Sequence, residues 1–87
     1  MLFRSVLPNP GRSGSLVRLA LPPEAGAEAR VYDVAGRELA RLTLVRVPEG
    51  WDGEWRTRNE RGHALPAGVY LVRGRGGVAS RVVLLSP

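Results

Sequence analysis

Residues 55–70 (WRTRNERGHALPAGVY) constrain this chain more than any other stretch, because they place two backbone reversals between two large aromatics. Asn59, Glu60, Arg61 and Gly62 follow the pattern of a type I turn, with a side-chain acceptor at the first position and glycine at the fourth. Pro66 then fixes φ, and Gly68 tolerates positive φ, so the chain can re-enter a sheet at Val69 and Tyr70. A strand ends on one side of this span and another begins on the other, which is the layout of an all-β scaffold. Trp55 and Tyr70 are its expected anchors, since each buries a large apolar surface while keeping one polar group. Trp55 is accordingly expected between the sheets.

With 87 residues and no cysteine, the chain fits one small domain, 1–87, without help from a disulfide or a thiolate metal site. Packed sheets must hold it together. Hydrophobic residues make up 44% and charged residues 24%, which is the range of a folded domain and not of a disordered one. All 13 basic residues are arginine, and the net charge is +5. A GC-rich coding bias produces that pattern. So does an anionic partner, because arginine makes bidentate contacts with phosphate and carboxylate. The arginines are scattered from Arg4 to Arg81 among eight acids, which favours a solvated surface over a nucleic-acid face. No apolar run is long enough to span a membrane, and residues 1–4 are too short for a signal peptide. The chain therefore reads as a module from the end of a larger exported protein, or else as a cytoplasmic domain.

Residues 3–7 form an apolar edge strand stopped by Pro8, Asn9, Pro10 and Gly11. Residues 14–21 alternate, with Val17, Leu19 and Leu21 on one face, and Pro22 and Pro23 end them. Residues 24–28 carry a central glycine and are too short for a stable helix, so they are expected to form a loop. Residues 29–34 are a strand with Ala29 and Val31 inward. It closes in a second Asx-x-x-Gly turn, where the Asp33 carboxylate is expected to accept a turn amide and Gly36 to reverse the chain. Residues 37–47 alternate weakly, and Leu39, Leu42, Leu44 and Val47 share a face only if the strand bulges or breaks. Trp51 and Trp55, four apart, fall on one face of a strand, with Trp51 at its entrance. After residues 69–73, Gly76 and Gly77 suit a two-residue primed hairpin turn into a final strand at 78–85. About seven short strands at this spacing make an antiparallel β-sandwich. Gly36, Gly62 and Gly68 are expected at turns, at least two of them with positive φ.

Nothing in the chain assembles a catalytic, cofactor or metal site. His63 is the only histidine, sits in a turn, and has neither a second imidazole nor a thiol to work with. No serine occupies a nucleophile elbow, and Asp52-Gly53-Glu54 is too short for a helix-loop-helix calcium loop. Arg73-Gly74-Arg75-Gly76-Gly77 resembles the Arg/Gly segments that bind single-stranded nucleic acid, but one copy between two apolar strands reads first as a hairpin.

Several segments together resemble the C-terminal sorting domain of the bacterial type IX secretion system and the similar Ig-like domain of the flagellar hook-assembly (hook-cap) protein. Pro8, Asn9 and Pro10 look like the opening Pro-Asn-Pro signature. Val31, Tyr32, Asp33, Gly36 and Arg37 match a Val-Tyr-Asp-x-x-Gly-Arg motif. Trp55, Gly62, Leu65, Pro66, Gly68, Val69 and Tyr70 match the spacing of the following Trp to Gly-Val-Tyr segment. The Asp-Gly that usually follows the family's tryptophan follows Trp51 here, so Trp51 is taken as a decoy. The resemblance implies an Ig-like sandwich without catalysis of its own. It also implies a covalently linked upstream passenger, secretion machinery or partner subunits as binding partners, and a location outside the cell or at its surface, reached through the periplasm.

Arg81, Val82, Val83, Leu84 and Leu85 look like the basic-then-apolar last strand of such tails. Because apolar residues run together there, both faces of the strand are expected to be apolar, one for the core and one for a partner or an overlying loop. A structural assembly domain of the hook-cap type is the alternative reading, and a small nucleic-acid-binding β domain a second.

Overall fold

The computed structural model describes residues 5–7, 10–77 and 79–86. Period-two alternation builds its strands: β1 (Ser5–Leu7), β2 (Gly11–Arg12), β3 (Leu16–Leu21), β4 (Glu28–Tyr32), β5 (Glu38–Thr43), β6 (Val45–Val47), β7 (Gly50–Arg56), β8 (Gly68–Arg73) and β9 (Ala79–Leu85). They form two sheets in a β-sandwich, one ordered β1-β3-β7-β6 and the other β2-β9-β8-β4-β5. All neighbours are antiparallel except β2 and β9, which run parallel with Gly11 opposite Leu84.

The inward face of β3 is Val17, Leu19 and Leu21, and that of β4 is Ala29 and Val31, as the alternation requires. Beside those of β4 in the five-stranded sheet, Tyr70 and Val72 of β8 and Val82 and Leu84 of β9 face β3 of the other sheet, and Ala25, Leu44, Trp55 and Leu65 complete the core. Expected strand 37–47 breaks at one residue. Leu44 leaves the five-stranded sheet, is buried, and donates its amide to the Ala27 carbonyl at 2.8 Å. The chain thus crosses from β5 to β6, from one sheet's edge to the other's. It crosses likewise between β1 and β2, both edge strands. These crossings raise the count to nine strand segments among the described residues, where about seven were expected. They also join the two layers along both flanks.

Trp55 is only 1% exposed. It pairs with Val17 across β3 and β7 and meets Tyr70 of the opposite sheet edge-on, ring centroids 5.6 Å apart at 65°. That geometry suits the ring quadrupoles and adds to the burial of both rings. Trp51 lies on the same face of β7, half-buried, and is more than a decoy. Its indole N–H donates to the Pro23 carbonyl at 3.1 Å and ties down a 3-10 turn (Pro23–Ala25) that overlaps the start of the loop expected at 24–28. Between the two indoles a Cβ at Gly53 would overlap the Leu44 side chain, so glycine there lets the crossover residue fill the space over β7.

The β8–β9 connection differs from the expected two-residue turn. The last strand pair is Arg73 with Ala79, and the loop between contains a 3-10 turn (Arg75–Gly77) in which Gly76 and Gly77 both have positive φ. The longer loop is stabilised by docking on the Pro23–Ala25 turn, so closely that a Cβ at Gly74 would lie 2.8 Å from that of Ala25.

Trp55 Nε1 is buried with no hydrogen-bond partner among the described residues. Replacing Trp55 by alanine is expected to cost about 3–5 kcal/mol, from lost burial and the cavity left behind. Phenylalanine is expected to cost much less, since it keeps most of the ring and removes a donor whose burial is itself unfavourable. Denaturant titrations of the two variants check this; equal losses would show that ring volume is not what holds the sheets together.

Candidate functional site

Most residues singled out from the sequence serve the scaffold. Asp33 and Asn59 head two turns with the same hydrogen bonds. In each, the first residue's amide donates to the carbonyl four residues on, Asp33 to Arg37 at 3.0 Å and Asn59 to His63 at 2.8 Å. The turn glycine returns an amide to the first carbonyl, Gly36 to Asp33 at 3.0 Å and Gly62 to Asn59 at 2.9 Å. The Asp33 Oδ1 accepts from the amides of Ala35 and Arg37, and the Asn59 Oδ1 from those of Arg61 and His63. Gly36 at φ 86° and Gly62 at φ 82° occupy the left-handed region that closes such loops. Gly68 opens β8 at φ 153°.

The two turns differ in charge. The Arg37 guanidinium donates to Asp33 Oδ2 at 2.9 Å. The backbone amide of Arg37, its guanidinium and the amide of Ala35 together hold the Asp33 carboxyl below its ordinary value, outweighing the opposing effect of desolvation. This is a satisfied structural aspartate. Tyr70 donates its hydroxyl to the carbonyl of exposed Pro66, four residues upstream, and burial followed by the Asp33 charge pushes its phenol up. His63 is exposed, and among the described residues no three of His, Cys, Asp and Glu converge on a point. Of the opening signature, Pro8 and Asn9 lie outside the described residues, while Pro10 is exposed just before β2.

The expected recognition strand lies inside the order of its sheet. β9 pairs with β8 from Ala79 to Leu84 and, on its other side, with β2 at Leu84 and Leu85. Val82 and Leu84 point into the core, while Arg81, Val83 and Leu85 point outward, Leu85 being 45% exposed. The outward three belong to a larger surface. Val83 pairs with Val69, and Arg81 with Leu71, which in turn pairs with Tyr32. The next row across the sheet is Arg73, Arg30 and Arg41. An aliphatic strip with Tyr32 at its end is therefore framed by guanidinium groups.

Beside Tyr32 this surface dips into a cleft of about 390 Å³ lined by Arg30, Arg73 and Arg75. The Arg73 guanidinium sits over the Tyr32 ring at 6.0 Å. Arg30 has loose contacts with Glu28 and Glu38, both at 3.5 Å, and Arg41 a closer one with Glu38 at 2.8 Å. Sequence reading did not find this cluster because its members lie on three separate strands and a turn. Alternation in residues 28–32 and 68–73 was the available signal, since it puts Arg30 with Tyr32 and Leu71 with Arg73 on outward faces.

No family model, curated protein or solved structure matches this chain.

Because the folded carboxyl of Asp33 is lowered, its contribution to stability is fully present above the unfolded value and is lost as pH falls through the folded one. The carboxyl carbon of Asp33, followed by NMR, is expected to titrate with a midpoint below 3.8. In Asp33→Asn the Ala35 and Arg37 amides should stay protected, as Asn59 keeps its own turn closed, but their acid sensitivity should vanish. A midpoint at or above 3.8 would mean that the turn does not favour the charged form.

Proposed function

We propose that this domain is a non-catalytic sorting and attachment module that directs a covalently linked passenger through type IX secretion to the cell surface. The observation carrying this reading is the role of the motif residues. Most of those of the resembling segments within the described residues go into turns and core: Asp33 and Gly36, Gly62, and the Trp55–Tyr70 contact between sheets, with Tyr32 and Val69 facing outward and Pro10 exposed. A family defined by such residues shares a shape and not a reaction, which suits a tag read by its surface. The reading takes the sandwich as Ig-like. In support, the hydroxyl of Tyr70 donates back to the Pro66 carbonyl, a contact similar to the tyrosine corner of Ig-like domains. The hook-cap type of assembly domain would use the same scaffold without a passenger.

Removing residues 81–87 is a poor test, because it takes Val82 and Leu84 out of the core along with the outward residues. Paired substitution of outward residues, Arg81→Gln with Val83→Thr, leaves the inner face intact. The test is a periplasm-directed reporter fused ahead of the domain, in a bacterium with type IX secretion machinery. The wild-type fusion is expected at the cell surface, and the substituted one in the periplasm with an unchanged circular dichroism spectrum. A wild-type fusion that remains in the periplasm overturns the sorting reading.

A further inference from the structure

The outer face of the five-stranded sheet is rich in arginine. Six arginines, Arg12, Arg30, Arg41, Arg73, Arg75 and Arg81, lie on or beside it, with Glu28 and Glu38 among them and Glu24 against the Arg75–Gly77 turn, so basic groups outnumber acidic ones two to one here. Arg75 lies along Gly26 and has no acidic partner among the described residues. The centre of the face is aliphatic: Val69, Leu71 and Val83, all half-buried. We propose that this face docks an acidic polypeptide segment, its carboxylates on Arg30, Arg73 and Arg75 and its apolar side chains over Leu71, Val69 and Val83.

The chemistry selects that occupant over others. An apolar centre with a polar, arginine-rich rim is the anatomy of a protein interface. Single-stranded nucleic acid needs open aromatic faces for its bases, whereas Tyr32, the one aromatic on this face among the described residues, already has the Arg73 guanidinium over its ring. A second copy of the chain would bring the same cluster of arginines against this one, a like-charge arrangement that disfavours docking. The contact uses side chains on the face of the sheet, where β8 and β9 pair along their length, and calls for no added backbone pairing. In place of the loose 3.5 Å contacts of Arg30 with Glu28 and Glu38, the partner offers carboxylates in bidentate geometry. This goes beyond the sorting reading and does not depend on it, because the binding is a property of the isolated domain.

The probe is a short peptide of alternating glutamate and valine, titrated into the isotope-labelled domain. Amide shifts are expected at Arg30, Tyr32, Leu71, Arg73 and Val83. Arg73→Glu with Arg75→Glu is expected to weaken binding by about tenfold or more, as loss of two charge-assisted hydrogen bonds would. Both side chains are exposed, so the fold should persist, and Arg73→Gln with Arg75→Gln serves if charge reversal disturbs it. The proposal is overturned if no shifts occur, if they map to the four-stranded sheet, or if an alternating lysine and valine peptide binds equally well. Tighter binding of an oligodeoxythymidylate to the same face overturns it in favour of a nucleic-acid partner. Failure here with a correctly sorted reporter would leave the sorting reading standing.

Discussion

The edge-to-face contact of Trp55 with Tyr70 is the point at which the two sheets become one domain. Each ring comes from a different layer, so neither sheet can shift relative to the other without separating them. The remaining core side chains are aliphatic and smaller, and they fill the space that this pair holds open. In so short a chain, without a disulfide, one large interlayer contact carries a large share of the available burial. The two rings are satisfied unequally. Tyr70 hands its hydroxyl to the Pro66 carbonyl, while the indole N–H of Trp55 is buried unpartnered.

The strands that deliver these rings are themselves positioned by short-range chemistry. Asp33 and Asn59 impose the same closed loop at two places, through one side-chain oxygen that takes two amides and one glycine that supplies a left-handed backbone. Only the aspartate adds an ion pair, with Arg37, which makes one turn sensitive to acid and leaves the other indifferent. The loop after Asn59 is also tied to the rest of the sandwich. Buried Thr57 donates both its amide and its hydroxyl to the Ser15 carbonyl, and the Ser13 hydroxyl donates to the Leu65 carbonyl.

These scaffold roles leave the outer face of the five-stranded sheet as the richest remaining surface. β9 contributes to it through alternate side chains, since its Val82 and Leu84 belong to the core and its backbone pairs with β8 along its length and with β2 at Leu84 and Leu85. The face it presents is shared with β8 and β4. The all-arginine composition gains meaning in this setting. The planar guanidinium of Arg73 lies over Tyr32, a stacking that suits arginine better than lysine.

What the sequence determined by itself was what local physics controls. Alternation named the inward residues of β3 and β4, the Asx-x-x-Gly pattern named both turns, and the poor alternation of 37–47 signalled a break, because each depends on a few neighbouring residues. The burial of Trp55 followed from its size and its position before a turn. Tertiary structure alone decided that β5 passes into β6 through Leu44, that the Gly76 and Gly77 loop lengthens to dock on the Pro23–Ala25 turn, and that Trp51 pins that turn in place. It also decided that Arg30, Arg73 and Arg75 meet beside Tyr32. Those outcomes depend on which distant strands become neighbours, and strand order is set by the packing of the whole core, which no stretch of the chain encodes alone.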